Sequence, residues 1–506
     1  MSDLLLCLDS GTTAVKAAAL DAAGRLLACT EAPNAALHRD GPRVEQDMDR
    51  SRDQAFAVLR DCLARLGGPG RVEGIVVTGQ GDGLWPVDRD GRPLGRAITW
   101  LDGRARDLAA GLGGALDAIQ RATGSRPTAA AASLQLLWLR RHEPERFARI
   151  AHALRLKEWL FLGLTGRVMA EPSALLPVWG DWRSGAILPA VGEALGLAGA
   201  ERLLPGLAEI GACRAGLSAA AAADLGLPAG LPVLLGPGDV QSTLIGLGLG
   251  TRAGVTRASI FGTSAIHACL HDDPDAMPAR PAGAMVQRFA LGPGFICLHP
   301  SFNGATALHH LSRAFCALPA HPAPCYSALV LHPFLEPGGE RAPWTDPAAS
   351  GAAFGLTAAT TPAEIAWAGR EALAFVTHRS HAMMAAPEGT LSLGGGLARD
   401  GHFAQFLATL TGGPVERSPN DQAGLRGLAA IGARFLLGAD PVTLGRDWLG
   451  APEDRLVPAG PAVAAYAARK YALFAATVDA AARHWAALAD LRAEAEGLME
   501  EEDERR

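Results

Sequence analysis

A glycine–threonine turn next to an apolar segment occurs twice in this chain, and this recurrence constrains the fold more than any other feature. The stretch "GTTAVKA" at 11–17 is echoed by "GTSAIHA" at 262–268, and each copy follows an apolar run. A second echo comes in the same order, because 75–83 and 391–400 both have the pattern of a strand that ends in a Gly-x-Gly loop. Two elements repeated in the same order indicate two related domains, with a boundary near 240–255.

The first of these turns, at 11–14, connects two strands rather than a strand and a helix. Apolar residues resume at 15–20, a second turn follows at 21–24, and another strand pattern covers 25–30. Connections this short join antiparallel neighbours, because a parallel crossover needs a dozen or more residues. Phosphate loops of the Walker type and dinucleotide fingerprints run from a strand into a helix, and neither consensus is present. The sequence therefore predicts a β-hairpin.

Polar and charged side chains at this hairpin suit a polyphosphate ligand. Tight Gly-Thr turns direct several backbone N–H groups at one point, and Thr12 and Thr13 add hydroxyl donors. Lys16 supplies a positive charge, and Asp9 at the strand end can bind Mg²⁺ directly or through water. An ordinary turn, with Lys16 solvated and Asp9 bonded to its own turn amides, is the alternative for a single hairpin. The second copy favours two loops that hold one phosphate chain between them.

Composition and charge exclude several classes of protein. An apolar fraction of 49% with 19% charged residues is typical of a packed globular chain, and 506 residues exceed what one core usually serves. A net charge of −6 gives no basic face for nucleic acid or an anionic membrane. The sequence shows no signal-peptide pattern and no apolar stretch near the ~18 residues of a membrane span. The eight cysteines form no C-x-x-C pair, which predicts reduced thiols in a cytoplasmic protein.

Other patterns predict a coarse order of elements. A helix is expected over 54–66 and helices over most of 103–165, whereas 175–185 is expected to be a loop. The segment 231–250 predicts a strand, a loop and a helix, with Asp239 near the start of the helix. A carboxylate at that position either caps the helix or faces a cleft at the C-terminal end of the strand.

Taken together, these motifs resemble those of the FGGY family of carbohydrate kinases, over roughly residues 1–440. The resemblance implies an α/β fold with two actin-like, RNase-H-like ATPase domains and a cleft between them. One such motif would be weak, but several in the family's order are specific. The motifs are DSGTTAVK (9–16), VEQD (44–47), TGQGDG (78–83), WLDGR (100–104), GPGD (236–239), FGTS (261–264), GGERAP (338–343) and GLARDGHFAQFLATLTGGPV (396–415).

The resemblance implies transfer of a phosphoryl group from ATP to a hydroxyl group of a polyol or keto-sugar, with Mg²⁺ as the second cofactor. Asp239 is then the general base and Asp9 the second catalytic carboxylate, and both are candidate Mg²⁺ ligands. The expected ATP contacts are Gly11, Thr12, Thr13, Lys16, Gly262, Thr263, Ser264, Gly304, Gly395, Gly396 and Leu397. The expected substrate contacts are Gln80, Asp82, Trp100, Asp102, Arg104 and Asp239.

The loop at 80–82 departs most informatively from familiar members of this family. Gly81 and Asp82 stand where glycerol kinases have Arg-Glu and xylulose kinases have Met-His, and the loop resembles that of the erythritol-kinase branch. The small Gly81 leaves room for a substrate longer than glycerol, and the Asp82 carboxylate can accept two hydroxyl protons. We therefore expect a polyol or keto-sugar of about four to six carbons. A ketopentose such as xylulose or ribulose, as in the xylulose-kinase branch, is the alternative to a polyol.

Structural alternatives remain for several of these positions. Core packing explains Trp100 as well as sugar binding does, and an ion pair explains Asp102 and Arg104 equally well. A non-catalytic sugar- or nucleotide-binding regulator on the same fold is a separate alternative, and the presence of Asp9, Asp239 and both turns argues against it.

The resemblance also predicts the organisation of the chain. An N-terminal FGGY domain over 1–245 is expected to hold the sugar site, the first phosphate loop and the base. An ATP-binding C-terminal FGGY domain is expected over 246–485, followed by a charged tail over 486–506. The expected partner is a small-molecule substrate, without nucleic acid or membrane. A homodimer is the expected assembly if the chain self-associates.

Overall fold

Two mixed β-sheets, each covered by helices, organise the chain in the computed structural model. The structure describes residues 4–66, 71–277, 283–315, 318–336, 338–418 and 422–504, with side chains up to residue 500.

The strands of the N-terminal half are β1 (Leu4–Ser10), β2 (Ala14–Asp21), β3 (Leu26–Pro33), β4 (Leu37–Asp40), β5 (Arg43–Gln46), β6 (Val72–Gly79), β7 (Trp85–Val87), β8 (Ala97–Ile98), β9 (His152–Leu154), β10 (Met169–Ala170), β11 (Gly180–Asp181), β12 (Ala186–Ile187), β13 (Gly206–Leu207), β14 (Arg214–Gly216) and β15 (Pro232–Leu235). Its helices are α1 (Met48–Arg65), α2 (Arg106–Gly111), α3 (Gly113–Thr123), α4 (Ala132–His142), α5 (Pro144–Ala148), α6 (Leu156–Thr165), α7 (Pro172–Trp179), α8 (Pro189–Ala194), α9 (Ala219–Leu225) and α10 (Asp239–Gly246).

The strands of the C-terminal half are β16 (Val255–Phe261), β17 (Ala265–His271), β18 (Met285–Arg288), β19 (Phe295–Ser301), β20 (Val330–His332), β21 (Ala352–Phe354), β22 (Thr390–Gly395), β23 (Val415–Arg417) and β24 (Asp454–Leu456). Its helices are α11 (Ala305–Phe315), α12 (Pro362–Met383), α13 (Gly401–Thr411), α14 (Ala423–Leu436), α15 (Leu444–Asp447), α16 (Pro461–Ala482) and α17 (Trp485–Glu504).

The two large sheets share one topology at their centres. The first has the strand order β14-β15-β6-β1-β2-β3 and the second the order β18-β19-β17-β16-β22-β23-β24. In the first sheet β1 pairs antiparallel with β2 and parallel with β6, and in the second β16 pairs antiparallel with β17 and parallel with β22. The predicted hairpins and the predicted internal repeat are therefore confirmed, and so is the α/β fold class.

Helices α10 and α14 lie between the two sheets and pack against each other. Their approach is close, because a Cβ added at Gly246 would lie 1.8 Å from the Ala423 carbonyl oxygen and one at Gly427 would lie 1.9 Å from the Ser242 carbonyl oxygen. One apolar cluster joins these helices to inward side chains of both sheets, including Leu5. The opposite face of the first sheet is covered by α1, α6 and α9. This arrangement puts the strand ends of both sheets on either side of a cleft.

Two sequence predictions about helices need correction. The segment 175–185 was expected to be a loop, but Pro172–Trp179 is a helix, and only the rest of the segment forms a turn between two short strands. Glu171 caps this helix by accepting hydrogen bonds from two of its first amides, and Pro172 occupies the first turn, where it fits. The helix expected at 54–66 begins earlier, at Met48, because the Asp47 side chain caps it there.

Most of the expected charged tail is helical. Residues 485–504, which include most of the expected charged tail, form the helix α17. Seven cysteines of the described chain are free thiols, and Cys316 lies outside the described residues. Within the described ranges, no helix has both the length and the apolar character needed to cross a membrane.

Candidate active site

The first Gly-Thr turn connects β1 to β2 and carries a buried carboxylate at its base. The turn closes through a hydrogen bond from Gly11 N–H to the Ala14 carbonyl oxygen, at 2.9 Å. Asp9 lies directly across from Lys16 in the hairpin register. Its Oδ1 atom is buried without a hydrogen-bond partner in the described structure, so the carboxylate does not bond its own turn amides. Burial raises the pKa of Asp9 to about 6, and the charge of Lys16 offsets part of that rise.

The second Gly-Thr turn connects β16 to β17, and the Thr306 hydroxyl donates to its Thr263 carbonyl oxygen at 2.7 Å. Gly262 N–H donates to the Ser264 carbonyl oxygen at 3.0 Å, and Thr263 is exposed at the tip. Gly304 supports the turn from behind, because a Cβ added there would lie 2.4 Å from the Ser264 carbonyl carbon. Gly304 therefore lies against the loop, and any larger residue would displace it.

An open cavity of about 450 Å³ lies between these elements and is lined by both halves of the chain. Asp9, Lys16 and Thr243 line it from the first half, with Ile260 and Gly395 among the residues of the second half. Lys16 pairs with Glu31 at 3.3 Å on this side of the hairpin. The cavity has one charged wall and one wall made mainly of glycine and apolar side chains.

The predicted adenosine loop continues the second wall. Gly395 ends β22 with φ of 81°, and a Cβ there would lie 2.2 Å from the Phe261 carbonyl oxygen, so the position requires glycine. A Cβ at Gly396 would meet open space, and Leu397 is buried beneath it. An exposed glycine backbone above a buried leucine can accept a flat ring at close approach.

Asp239 is the first residue of α10 and faces the cleft. The N-cap residue of α10 is Gly238, so the Asp239 carboxylate is not the N-cap of this helix. The carboxylate accepts a hydrogen bond from the Val240 amide, at 2.9 Å, and the nearby Gly81 amide also favours its ionised form. Burial and the neighbouring charge of Asp9 raise the pKa of Asp239 to about 7. A carboxylate with a pKa near neutrality can accept a proton from an alcohol.

A buried polar chain that the sequence did not predict supports the loop before Asp239. Lys157 pairs with Glu171 at 2.8 Å, and both side chains are fully buried. Glu171 accepts a hydrogen bond from the Ser173 hydroxyl at 2.8 Å, and Ser173 Oγ accepts one from Gly238 N–H at 3.0 Å. The buried Lys157–Glu171 pair thereby positions the loop that carries the candidate base. In the sequence, this buried pair shows only as a lysine and a glutamate without evident partners in otherwise apolar segments.

A second contact that the sequence did not predict lies behind Asp9. A Cβ added at Gly424, near the start of α14, would lie 3.0 Å from Asp9 Oδ2 and 3.2 Å from Thr243 Oγ1. Any side chain at Gly424 would therefore press on the carboxylate. The N-terminus of α14 thus approaches Asp9, where its positive dipole end favours the ionised form.

The predicted sugar residues divide into two groups. Gln80 is buried with its Oε1 atom unbonded in the described structure, and Asp82 follows it on the same loop, half-buried beside the cleft. Burial raises the pKa of Asp82 to about 6, and the charges of Arg155 and Arg341 oppose that rise. Trp100 reaches the first phosphate loop, because its indole N–H donates to Thr12 Oγ1 at 2.8 Å. These residues, unlike the second group, have polar atoms or ring surface at the cleft.

Asp102 and Arg104 form the second group and bond to each other. Arg104 donates to both Asp102 oxygens at 2.8 Å and also pairs with Glu45. Asp102 Oδ2 additionally accepts from the Val44 amide at 2.7 Å, and Arg104 lies over the Trp138 ring. The structure thus matches the ion-pair alternative for these two residues, and it leaves little of either charge for a substrate.

Family models match most of the chain. The model of the FGGY family of carbohydrate kinases, N-terminal domain, matches residues 4–246, and the C-terminal domain model matches residues 257–436. The chain is 30% identical to an erythritol kinase of Brucella abortus, over 87% of this chain and 88% of that protein. It is also 30% identical to a xylulose kinase of Streptomyces coelicolor, over 88% of this chain and 90% of that protein.

Solved structures agree in fold. The crystal structure of a xylulose kinase from Rhodospirillum rubrum superimposes with a TM-score of 0.84 at 23% identity, over 95% of this chain and 99% of that one. The cleft between two related domains, the paired Gly-Thr turns and the family matches lead to one assignment. The chain belongs to the FGGY family of carbohydrate kinases.

Proposed function

We propose that Asp239 is the general base of this kinase and that the phosphates of ATP lie between the two Gly-Thr turns. The observation that supports this most directly is the pair of mutually repelling carboxylates, Asp9 and Asp239, at the floor of the cleft. Like charges brought together in a buried site cost folding free energy, so such a pair in a cleft points to a functional site. Asp239 takes the proton of the substrate hydroxyl as the hydroxyl oxygen attacks the terminal phosphorus of ATP, the bond from that phosphorus to the bridging oxygen breaks, and ADP leaves.

The two turns divide the phosphate contacts. Thr12 and Thr13 offer amides and hydroxyls from the first turn, and Thr263 and Ser264 offer them from the second, whereas the amides of Gly11 and Gly262 close the turns. Lys16 provides the positive charge. When ATP binds, its ammonium group leaves the ion pair with Glu31 and binds phosphate oxygens instead. Gly395, Gly396 and Leu397 form the surface under the adenosine, and Gly304 supports the second turn from behind.

Asp9 and Asp239 fit a Mg²⁺ ion. Asp9 Oδ1 is a buried carboxylate oxygen without a hydrogen-bond partner in the described structure, which is the ligand type that Mg²⁺ prefers. When bound, Mg²⁺ supplies neutralisation of the charge on the phosphates. The protein's own part is to hold Asp9 beside the first turn and to keep Asp239 in reach of the substrate hydroxyl.

A small neutral polyol is the substrate class that the sugar site supports best. Gly81 leaves the loop open, since a Cβ there would meet only Gly238 at 3.6 Å, and Asp82 presents hydrogen-bond acceptors to vicinal hydroxyl groups. The erythritol kinase name of one relative agrees with a four-carbon polyol. The xylulose kinase names of others keep a ketopentose as the second candidate. The alternative of a non-catalytic regulator is not favoured, because the relatives of this chain are named as kinases.

The division of the chain at 245/246, the homodimer and the cytoplasmic location stay predictions. The proposed boundary lies at the end of α10, next to the gap between the two family-model matches. Sedimentation velocity on the purified chain would determine its oligomeric state.

Asp239→Asn tests the base. We expect kcat to fall at least about a hundredfold, because the isosteric amide cannot take the hydroxyl proton. The affinity for ATP and the far-ultraviolet circular dichroism should stay those of the wild type. Coupled ADP release measures turnover, and equilibrium dialysis measures ATP binding. Turnover within threefold of the wild type would reject Asp239 as the base.

A substrate panel tests the sugar. ADP release is compared for glycerol, erythritol, the pentitols, xylulose and ribulose at equal concentrations. We expect the highest kcat/KM for a polyol with at least about four carbons. A preference for glycerol would contradict the role assigned to Gly81, and a preference for a ketopentose would select the second candidate.

A further inference from the structure

An arginine of the second domain lies beside the sugar site of the first domain. Arg341 belongs to the loop 338–343, and its guanidinium stacks on Phe302 with 4.2 Å from Cζ to the ring centroid. Its charge interacts with Asp82 and Arg106, both from the first domain, and with Glu340 of its own loop. Within the described ranges, its guanidinium makes no hydrogen bond and no ion pair at contact distance. Arg341 therefore has its donors free for a ligand in the cleft.

The loop that carries Arg341 is held by the residue before it. The buried Glu340 carboxylate accepts hydrogen bonds from Ser301 Oγ at 2.7 Å, Asn303 Nδ2 at 3.0 Å, and the amides of Phe302 and Arg341 at 3.0 and 2.7 Å. With its oxygens used in this way, Glu340 does not pair with the neighbouring guanidinium. The loop keeps its shape without a substrate, so Arg341 is presented to the cleft in advance.

The neighbours of Arg341 show which end of the sugar site it faces. Its charge partners from the first domain are Asp82 and Arg106, whereas the carboxylate of Asp239 interacts with Asp9. Phosphoryl transfer occurs at Asp239 and Asp9 in the proposed mechanism. Arg341 consequently faces the end of the substrate that is remote from the transferred phosphoryl group.

We propose that Arg341 is a specificity-determining residue that donates hydrogen bonds to the substrate hydroxyl most distant from the phosphorylated one. Asp82 accepts a hydrogen bond at the same end, so the two domains hold one terminus of the substrate between an acceptor and a donor. The carboxylate of Asp82 offsets the attraction of Arg341 for a sugar acid there, so the pair favours a neutral chain. This inference rests on the proposed phosphorylation of a polyol or keto-sugar and adds a substrate contact from the second domain.

The variant Arg341→Met removes the donors and keeps an unbranched apolar chain over Phe302. Kinetics are compared for erythritol and for the erythro-butane-1,2,3-triols, which lack one terminal hydroxyl, and for D-xylulose and 1-deoxy-D-xylulose. The pair used is the one whose complete substrate the wild type phosphorylates. For that complete substrate, we expect KM to rise at least about tenfold with kcat within about threefold, as for a lost charge-assisted hydrogen bond. For the deoxy analogue, KM should change less than about twofold, because the contact is already absent.

Arg183→Met is the matched control, since Arg183 also stacks on an aromatic ring, that of Trp182 at 4.4 Å, but lies on the surface. Both KM values should stay within twofold of the wild type. Arg341→Lys provides a second variant, which keeps the charge and should retain part of the discrimination. The unfolding midpoint and the ATP affinity of each variant are measured alongside.

An equal rise in KM for the complete and the deoxy substrate would overturn the proposal, because it would make Arg341 a link between domains rather than a substrate contact. A loss of ATP affinity in Arg341→Met and Arg341→Lys would overturn it also, by moving the side chain to the phosphate end. Failure of the wild type on every polyol and keto-sugar would instead reject the proposed function. That result is obtained before any variant is made, so the two failures are distinguishable.

Discussion

The two Gly-Thr hairpins are copies of one element, yet only the first has a charged cross-strand pair beside its turn. Asp9 lies across from Lys16 in the first hairpin, and the corresponding cross-strand pair in the second is Ile260 and Ile266. The first domain therefore supplies the charges at the phosphate end of the cleft, and Asp239 belongs to the same half of the chain. At that end the second domain supplies backbone amides, glycines and a neutral wall. Duplication produced two similar frames, and the charges needed for phosphoryl transfer are present on one of them.

The register of the two hairpins explains a false equivalence in the sequence. By sequence, Lys16 is matched by His267, because both lie five residues after the glycine. The second turn is one residue shorter, so Ile266 rather than His267 takes the position of Lys16. A shift of one residue moves a side chain to the other face of a strand. His267 is accordingly buried beside Ser259, and burial lowers its pKa to about 3, so it cannot replace a lysine.

The largest expected difference is between the asparagine variants of Asp9 and of Ile260, which occupy matching positions in the two hairpins. Asp9→Asn should lower kcat at least about a hundredfold, because it removes a preorganised charge at the phosphates. Ile260→Asn, at the matching position of the second hairpin, should lower kcat at most about fivefold. Steady-state kinetics at saturating ATP and substrate measure both. Similar losses in the two variants would contradict the division between a charged and a neutral wall.

The pH dependence of stability sharpens the same contrast without substrate. In the apoprotein with EDTA, the raised pKa of Asp239, about 7, means that the folded state keeps its proton after the unfolded state has lost it. Stability contributed by this group is therefore lost as pH rises from about 4 to 7. Asp239→Asn removes this penalty, so it should leave the unfolding temperature unchanged near pH 4 and raise it by about 3 °C or more at pH 8.

His267→Gln is the control in the second hairpin. Its effect should have the opposite pH dependence: burial lowers the pKa of His267 to about 3, whereas the unfolded chain takes up a proton at this residue near pH 6.5, so His267→Gln should raise the unfolding temperature more at pH 5 than at pH 8. Differential scanning calorimetry across this pH range measures both variants. A gain for Asp239→Asn that does not grow with pH would show that the carboxylate is ionised in the folded state throughout.

Local patterns in the sequence were sufficient for the frame of the molecule. The apolar runs on both sides of Gly11 and Gly262 predicted hairpins, and strand-then-glycine patterns predicted β6 and β22 with their loops. These features depend on neighbours within a few residues, which a sequence displays directly. The resemblance to a known family named Asp239 and Asp9, and the structure brings these two carboxylates within electrostatic range of each other.

The remaining features depend on contacts between distant segments. The chain from Lys157 through Glu171 and Ser173 to Gly238 joins three separate elements, and no local pattern specifies it. Arg341 gains its significance only because the second domain brings it to Asp82. Such long-range partners follow from the packing of the two sheets around α10 and α14. A sequence read alone can flag the unexplained charges but not their partners.

The smallest expected effect concerns a contact that only the first hairpin has with the sugar site. Trp100 Nε1 donates to Thr12 Oγ1, which leaves the Thr12 hydroxyl proton available for a phosphate oxygen. Trp100→Phe keeps the aromatic face and removes this bond, so KM for ATP should rise about threefold, the cost of one neutral hydrogen bond. KM for the polyol should change less than twofold. Initial rates with both substrates varied separate the two constants.

Thr12→Ala provides the comparison that makes this test specific to the first hairpin. If Trp100 acts on ATP through the Thr12 hydroxyl, Trp100→Phe should add nothing to KM for ATP in the Thr12→Ala background. In a Thr263→Ala background, where the second hairpin is altered instead, the threefold effect should persist in full. An additive effect with Thr12→Ala would show that Trp100 acts on ATP without the Thr12 hydroxyl, whereas a change confined to KM for the polyol would show that Trp100 serves the sugar alone. The charged hairpin would then be coupled to the sugar site only through Asp9 and Asp239.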